Sequence, residues 1–286
     1  MRTLRDLSPS EVERIQERAR QLRESGMSYR RITRELAEEF KVSISKATVL
    51  RWCRGTHNTF NKTKRVNLEP SPELAYIVGA YLGDASVSER NYQYRIRLKV
   101  VDEDFAESFG RALKGIGANP RTGFECNRGR ADRWWVEVTN KELFMFLKGP
   151  KERLFEVARM YPKEFLRGFF DSEGTVVFNK KSRSVQISAA NYDLNVLTLC
   201  KELLHGLEID SRIYLHRKKG TPVNIRGRMY QYKYDLYRIM IQRRQSVSNF
   251  YKNVGFSIVR KQLKLKDALE AIGVFKKEHQ RTNVSK

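Results

Sequence analysis

Two acidic residues, Asp84 and Glu173, each follow an apolar stretch that carries two small residues four positions apart. Carboxylate oxygens are the ligands that hard divalent cations such as Mg²⁺ prefer. Two carboxylates placed side by side repel each other unless a cation lies between them. The pattern therefore predicts a shared metal site, provided that the fold brings the two stretches together. The stretches are YIVGAYLGDAS, with Gly79 and Gly83, and FLRGFFDSEGT, with Gly168 and Ser172.

The small residues indicate how the two acids are brought together. In a helix, positions i and i+4 lie on the same face, so each stretch presents a face without large side chains. A glycine in a helix interior costs about 1 kcal/mol, which favours a packing role for Gly79 and Gly168. We therefore expect two closely packed helices whose carboxyl-terminal ends carry Asp84 and Glu173.

Asp171 is a competing candidate for the second acidic ligand. It lies two residues before Glu173, about 200° around a helix, so the two side chains cannot both face the end of the partner helix. The residue at the same place in the first stretch is Leu82, which is not an acid. We expect Glu173 to be the metal ligand and Asp171 to have a structural role.

Apolar and polar residues alternate after the first acidic stretch, in NYQYRIRLKV. Alternation with period two indicates a half-buried antiparallel strand, whose open face attracts phosphates and base edges. Similar alternation marks RADRWWVEV, SRSVQIS, SRIYLHRKKG and MYQYKYDLYRIMI, with helical runs between strands. The residues expected to contact a nucleic acid on these faces are Gln93, Arg95, Arg97, Lys99, Arg133, Ser184, Gln186, Ser188 and His216.

Three short helices are predicted in the first 56 residues, with serines that can cap their starts. The third, in ISKATVLRWCRG, is polar and basic, which favours a helix-turn-helix module with its recognition helix in third place. A small helical bundle that mediates protein contacts is the alternative. The candidate major-groove residues are Lys46, Thr48 and Arg51.

The chain of 286 residues carries 56 Lys and Arg against 33 Asp and Glu, a formal net charge of +23. An excess of this size favours a nucleic-acid partner, although charge does not separate DNA from RNA, and a charged surface that only maintains solubility is the alternative. No apolar run reaches membrane-spanning length, and the amino terminus lacks a signal-peptide core. Scattered Cys53, Cys126 and Cys200 favour free thiols in a reducing cytoplasm.

The two acidic stretches resemble the motif of the LAGLIDADG homing endonucleases, in the single-chain form with two motifs. VGAYLGDAS and RGFFDSEGT match it at their small residues and terminal acids, and the resemblance covers roughly residues 70–270. Ala85 departs from the glycine that usually follows the acid. Each predicted repeat has the order αββαββα, which this family uses. The resemblance thus implies an α+β fold in which two pseudo-symmetric repeats form a DNA-binding saddle.

The predicted organisation has five parts along the chain. A small all-α helix-turn-helix domain at 1–56 precedes a basic linker at 57–70. The first LAGLIDADG repeat is expected at 71–160 and the second at 161–272. A basic tail follows at 273–286.

The resemblance also implies a chemistry. It implies a monomeric enzyme that binds a long specific site in double-stranded DNA and cuts both strands with Mg²⁺ or another divalent cation. Asp84 and Glu173 would bind the metal, with Ala85 and Gly174 completing the predicted ligand set. Lys261, in VGFSIVRKQLKLKDAL, matches the position of an active-site lysine in this family.

Two polar residues and the ends of the chain add to what the resemblance implies. Asp102 and Asn191 follow equivalent strands and are candidates to position solvent near the metal. The absence of intein-like ends favours a free-standing, intron-encoded enzyme that is cytoplasmic and joins the nucleoid when bound to DNA. Two other functions stay open: a DNA-binding regulator that has lost cleavage, and a maturase that assists the folding of intron RNA.

Overall fold

The computed structural model describes residues 2–55, 65–90, 93–126, 129, 131–225 and 227–274. The chain divides into two compact units, Met1–Lys64 and Arg65–Lys286. The linker predicted at 57–70 lies outside the described residues up to residue 64, and the predicted tail lies outside them from residue 275. In the described part, no helix is both long enough and apolar enough to cross a membrane.

The first unit contains three helices, each preceded by a serine. The side chains of Ser8, Ser28 and Ser45 accept hydrogen bonds from the backbone N–H three residues further on. These bonds satisfy donors that the first turn of a helix leaves unpaired. Trp52 is fully buried in the small core between the helices. The elements are β1 (Arg2–Thr3), α1 (Pro9–Glu24), α2 (Tyr29–Phe40), β2 (Val42–Ser43) and α3 (Lys46–Cys53), with β1 and β2 paired in parallel.

The first repeat of the second unit comprises α4 (Pro72–Leu82), β3 (Ser86–Arg90), β4 (Gln93–Val100), α5 (Glu103–Gly115), β5 (Arg121–Glu125), β6 (Arg133–Thr139), α6 (Lys141–Lys148) and α7 (Lys151–Met160). Its strands form an antiparallel sheet in the order β3-β4-β6-β5. Ile96, Leu98, Val136 and Val138 are buried on one face of this sheet. The alternation in the sequence correctly predicts this half-buried sheet.

The second repeat comprises α8 (Pro162–Glu173), β7 (Thr175–Asn179), β8 (Ser184–Asn191), α9 (Leu194–Gly206), β9 (Arg212–Arg217), β10 (Pro222–Ile225), β11 (Arg228–Gln231), β12 (Leu236–Ile241), α10 (Arg244–Asn253) and α11 (Val259–Ala271). Its sheet has the order β7-β8-β12-β9, which repeats the order of the first sheet strand for strand. β10 and β11 form a separate ribbon, so the single strand predicted across MYQYKYDLYRIMI is divided into β11 and β12.

The predicted α+β architecture of two αββαββα repeats is confirmed. Each repeat adds one helix to the predicted order, α7 in the first and α11 in the second. The core of the second unit is shared between the repeats, because one continuous cluster of buried side chains contains Ile96 of the first sheet and Ile187 of the second. All seven residues from Leu74 to Ala80 of α4 are buried, as expected for a helix surrounded by protein.

α4 and α8 lie side by side, and their backbones approach closely at two glycines. A Cβ atom added at Gly79 would overlap the carbonyl oxygen of Phe165 and lie 2.8 Å from the amide nitrogen of Phe169. A Cβ atom added at Gly168 would overlap the carbonyl oxygen of Tyr76. Both positions therefore require glycine if the helices are to keep this separation.

Gly79→Ala is expected to destabilise the protein, because the new methyl group meets the α8 backbone and the helices must separate. Overpacking of this kind lowers the free energy of unfolding by about 1–3 kcal/mol. Urea unfolding followed by circular dichroism measures the change.

Gly110→Ala is the matched control for this substitution. Gly110 lies in α5, where an added Cβ atom would make an ordinary contact with Val136 at 3.8 Å. Alanine there is expected to raise the free energy of unfolding by up to about 1 kcal/mol, since it restricts the unfolded chain. Equal effects of the two substitutions would contradict the close approach at Gly79.

Candidate functional site

Asp84 and Glu173 lie at the adjoining carboxyl-terminal ends of α4 and α8. Glu173 is the last residue of α8, and Asp84 follows Gly83, which ends α4. A Cβ atom added at Gly83 would overlap the Cβ of Ser172 and lie 3.4 Å from the Cγ of Glu173. The close approach of the helices thus extends to their ends, where the two acids are neighbours.

The residues after the two acids, Ala85 and Gly174, end the helices differently. The Ala85 N–H donates to the carbonyl oxygen of Ala80 at 2.9 Å, whereas the Gly174 N–H donates to that of Phe170 at 2.8 Å. The methyl group of Ala85 is buried without conflict, but a Cβ atom at Gly174 would overlap the carbonyl oxygen of Phe170. Glycine is therefore needed only at the second end, which explains how alanine is accommodated at the first.

Burial raises the pKa of both acids, and repulsion by Asp84 adds to the rise at Glu173. The pKa of Glu173 rises to about 7, first because the carboxyl group is partly buried and next because Asp84 is close, while Lys261 acts in the opposite direction. Burial also raises the pKa of Asp84, against the attraction of Lys261 and Arg133. Since Asp84 is exposed by surface area, its contact with solvent limits this rise. A bound cation would relieve the repulsion.

Lys261 is buried beneath the end of α8. Its Nζ donates hydrogen bonds to the carbonyl oxygens of Asp171, at 2.6 Å, and Phe170, at 3.3 Å. The same nitrogen lies 5.6 Å from the centroid of the Phe256 ring. Burial lowers the pKa of Lys261, although Asp171 and Asp84 act to raise it. The sequence leaves open whether this lysine is a surface residue, and the structure places it inside the protein, against the second acidic helix.

Asp171 is fully buried and joins three parts of the second unit. Its carboxylate accepts hydrogen bonds from the Tyr76 hydroxyl at 2.8 Å and from the Ser257 N–H at 2.9 Å. Burial raises its pKa to about 6, while the hydrogen bonds from Tyr76 and Ser257 act to lower it. Asp171 therefore connects α8 to α4 and to the segment that leads into α11.

Asp102 and Asn191, the two candidates to position solvent, are engaged with protein groups. Asp102 accepts two hydrogen bonds from Arg260, at 2.5 and 2.7 Å. The Asn191 Nδ2 donates to the carbonyl oxygen of Leu82, near the end of α4, at 3.0 Å. Both residues thus stand near the ends of the central helices, but through contacts that the sequence does not indicate.

Two of the ion pairs between the described parts of the repeats are arranged reciprocally. Arg260, in α11 of the second repeat, pairs with Asp102 at the start of α5 in the first repeat. Lys151, in α7 of the first repeat, pairs with Asp193 at the start of α9 in the second. Each repeat therefore contributes a cation to the amino-terminal end of a helix in the other.

A cavity of about 490 Å³ opens beside the second acid. Its charged lining consists of Glu173 and three cations from α11, namely Arg260, Lys261 and Lys264. Three cations and one acid suit a phosphate group that approaches the helix end. Sequence reasoning misses Arg260 and Lys264, although their spacing of four in VRKQLKLK places them on one helical face.

The described residues contain no group of three or more His, Cys, Asp or Glu side chains placed to hold a metal ion. The carboxylates of Asp84 and Glu173 are the acidic groups that the helix ends bring together. Mg²⁺ is commonly held by one or two carboxylates together with water and substrate phosphates. The donor set therefore fits a cation that binds together with a phosphodiester.

The open face of the first sheet carries the predicted basic residues together with two glutamates. Glu137 lies 3.3 Å from the Nε of Arg95 and 3.7 Å from the Nε of Arg97. Lys99 Nζ donates to Glu125 at 2.6 Å. The two glutamates therefore restrict the side-chain positions of Arg95, Arg97 and Lys99 on the open face. The predicted residues on this face are Gln93, Arg95, Arg97, Lys99 and Arg133.

The open face of the second sheet is more neutral. Ser184 is exposed, and Gln186 is half-buried and accepts a hydrogen bond from Gln242 at 3.3 Å. A ring nitrogen of His216 lies 2.9 Å from a terminal nitrogen of Arg238. The pKa of His216 is lowered, first because the ring is partly buried and next because Arg238 is close. Neighbouring side chains thus hold Gln186 and His216, as the glutamates hold the basic groups of the first sheet.

Ser188 does not have the predicted exposure. It is only 6% exposed, because it occupies a middle strand with Thr175 opposite on one side and Met240 opposite on the other. Larger neighbours on both sides cover a small serine. The predicted exposure of Ser188 is therefore wrong.

The predicted contact residues of the first unit lie along α3. Lys46 and Arg51 are exposed, and Thr48 is half-buried. The Thr48 hydroxyl lies 2.9 Å from the hydroxyl of Ser45, the residue that caps α3. Lys46 and Arg51 therefore present charge to solvent, whereas Thr48 is partly occupied with its own helix end.

Residues 160–255 match the family model described as a LAGLIDADG-like domain. The uncharacterized protein MJ0398 of Methanocaldococcus jannaschii is 45% identical to this chain over 274 residues, which cover 95% of the chain and 99% of MJ0398. The domain match lies on the second repeat, whereas the match to MJ0398 extends over both units.

Two solved structures are similar in outline. The crystal structure of I-DmoI in complex with DNA and Ca matches with a TM-score of 0.47 and 16% identity, covering 68% of this chain and 97% of I-DmoI. Full-length DUF199/WhiA from Thermatoga maritima matches with a TM-score of 0.44 and 14% identity, covering 70% of this chain and 60% of WhiA.

Glu173→Gln is expected to stabilise the metal-free protein at pH 8. The raised pKa means that the folded protein holds the proton of Glu173 more tightly than the unfolded chain does, so stability falls as pH rises from about 4.5 to about 7. Glutamine carries no charge there and avoids this loss. Its advantage at pH 8 is expected to be about 1–3 kcal/mol and to disappear below pH 4.5.

Urea unfolding in EDTA, at pH 8 and below pH 4.5, measures the difference in the free energy of unfolding between the variant and the original protein. Glu152→Gln, an exposed position in α7, is the matched control and should have no pH-dependent advantage. A gain at Glu173 that is the same at both pH values would show that the carboxylate charge is not its cause.

Proposed function

Because this chain belongs to the same family as MJ0398 and contains a LAGLIDADG-like domain, we propose that it is a site-specific endonuclease. It acts as a monomer on a long site in double-stranded DNA and makes a break in both strands with the help of a divalent cation. Two acidic helix ends in one chain supply the pair of carboxylates that this reaction needs.

The observation that carries the proposal is the meeting of Asp84 and Glu173 at the ends of α4 and α8. Burial and, next, the nearby Asp84 raise the pKa of Glu173, and a divalent cation held by both carboxylates would offset this cost of negative charge. The two carboxylates would hold Mg²⁺, each mainly for one strand. When bound, the ion would supply an activated water and stabilise the leaving oxygen.

The cations beside Glu173 act on the phosphate itself. Arg260 and Lys264 face the cavity and bind the phosphate oxygens, since paired cations hold a phosphate more firmly than one. Arg260 is itself fixed by Asp102, so its position is set before the DNA arrives. Lys261 holds the last carbonyl groups of α8 and with them the orientation of Glu173.

The first unit extends the contacted site in this proposal. Its third helix exposes Lys46 and Arg51, and the chain as a whole has a net charge of +23. Such a helix suits the major groove. A unit that contacts another protein instead is the alternative, and removal of the unit distinguishes the two.

The experiment that tests the function uses a duplex made from the two flanks of the gene, joined without the gene itself. The full chain is incubated with this duplex with and without Mg²⁺. A double-strand break that depends on Mg²⁺ supports the proposal. Tight binding without a break would indicate a DNA-binding regulator, and preference for the intron transcript would indicate a maturase.

Asp84→Asn and Glu173→Gln are each expected to reduce cutting by at least about a hundredfold, because a carboxylate charge needed by the metal is lost. Binding should be unchanged or slightly tighter, since a negative charge near phosphate has been removed. If each acid serves mainly one strand, each single variant accumulates nicked DNA. The ratio of nicked to linear product on a supercoiled plasmid measures this, with Glu152→Gln as the control.

Full double-strand cutting by the Asp84→Asn/Glu173→Gln double variant would remove both helix ends from the chemistry. Equal slowing of both strands by either single variant would indicate a single metal shared by both acids.

Deleting residues 1–64 is expected to weaken binding but to leave cutting at the same phosphates. Both acids, the cations of α11 and both sheets belong to the unit Arg65–Lys286, and the hydrogen bond from Asn67 N–H to Ile116 is kept. Mapping of the cut phosphates on one duplex with full and shortened chains measures this. A folded but inactive shortened chain would place part of the reaction in the first unit.

A further inference from the structure

The two sheets can be compared residue by residue, because their strands share one order and one register. One cross-strand row of the first sheet consists of Ser86, Arg97, Glu137 and Arg121. The corresponding row of the second sheet is Thr175, Ser188, Met240 and Arg212. An arginine beside a glutamate in the first half is thus replaced by a serine beside a methionine in the second.

The ring of Trp135 packs beside the guanidinium group of Arg97. The guanidinium carbon of Arg97 lies 5.5 Å from the centroid of the Trp135 ring, within the range of a cation–π interaction. Gly123, opposite Trp135 on the neighbouring strand, leaves room for the ring, because an added Cβ atom would lie 2.6 Å from Trp135 Cε2. In the second sheet, Arg238 stands at the position of Trp135 and Tyr214 at the position of Gly123.

Glu137 forms an ion pair with the Arg97 side chain. The Nε of Arg97 lies 3.7 Å from the Glu137 carboxylate and is buried without a hydrogen-bond partner among the described residues. The side chain is nevertheless 32% exposed. One edge of the guanidinium therefore faces the protein, and the described part of the chain leaves its terminal nitrogens free to donate outward.

The hydrogen-bond donors of a guanidinium held in this way suit the acceptors of guanine. Arginine donates two hydrogen bonds to O6 and N7 of guanine, and a glutamate can accept one from N4 of the paired cytosine. We propose that Arg97, positioned by Glu137 and Trp135, reads a guanine in the half of the DNA site that lies under the first sheet. This proposal rests on the proposed function to the extent that the partner is duplex DNA.

The second sheet lacks an arginine–glutamate pair at the equivalent place, which makes the target asymmetric at that base pair. Met240 and the exposed Val177 offer apolar contact to a thymine methyl group, and Gln186 offers an amide that suits adenine. We therefore expect an A·T pair at the equivalent place under the second sheet, whereas the base pair under Arg97 contains the guanine.

Selection from a library of duplexes with a randomised 24-base-pair segment, performed with the full chain in EDTA, tests the proposal. The enriched sequences should contain one strongly preferred guanine in one half and A·T pairs at the equivalent place in the other. Arg97→Lys keeps the charge but loses the two-pronged donor. It should reduce the preference for guanine at that base pair about fivefold to a hundredfold and leave the salt dependence of binding unchanged.

Two more variants and a control complete the test. Arg97→Gln should shift the preference at the same base pair from guanine towards adenine, a change that a misfolded protein cannot produce. Glu137→Gln should reduce the guanine preference by a smaller factor at the same place. Arg111→Lys, an exposed arginine on α5, should leave every preference unchanged.

The proposal is overturned if the Arg97 variants weaken binding to all duplexes equally, because Arg97 would then contact phosphate only. Absence of any enriched duplex would overturn both the guanine reading and the proposed function. An enriched duplex with the expected guanine that Mg²⁺ does not cause to be cut would support the reading by Arg97 and overturn the cutting alone.

Discussion

The backbone contact between α4 and α8 at Gly79 and Gly168 sets the positions of all other parts of the second unit. Because neither residue has a side chain, the helices lie close enough for their ends to adjoin, and the acids at these ends become neighbours. Each helix also belongs to one sheet-bearing repeat. The separation of the two helices therefore sets the separation of the two sheets, and with it the width of any ligand that both sheets can contact together.

The same closeness makes the two helix ends chemically different. At the end of α8, buried Lys261 binds the last carbonyl groups and opposes the negative charge of Glu173. At the end of α4, the neutral amide of Asn191 binds the carbonyl group of Leu82. One end is thus held by a cation and the other by an uncharged group. Two equivalent acids in the sequence become two unequal groups in the fold.

The sequence predicts those features that depend on spacing along one element. Glycines four apart predict the helix pair, and alternation predicts which face of a strand is open. Features that depend on neighbours across strands are missed, such as the burial of Ser188 by Thr175 and Met240 and the glutamates between the arginines of the first sheet. Arg260 is missed for the same reason, since its partner Asp102 is distant in sequence. Periodicity identifies a face but not which residue stands opposite.

The shared core has a consequence for the order in which the chain is made. α4 is synthesised early, and its residues from Leu74 to Ala80 are all buried in the finished protein, partly by α8 from the second repeat. While ribosomes translate the segment between the two helices, the face of α4 that packs on α8 has no permanent partner. A nascent chain in this state is prone to aggregation and is a ligand for chaperones. Completion of the first repeat thus waits for translation of the second.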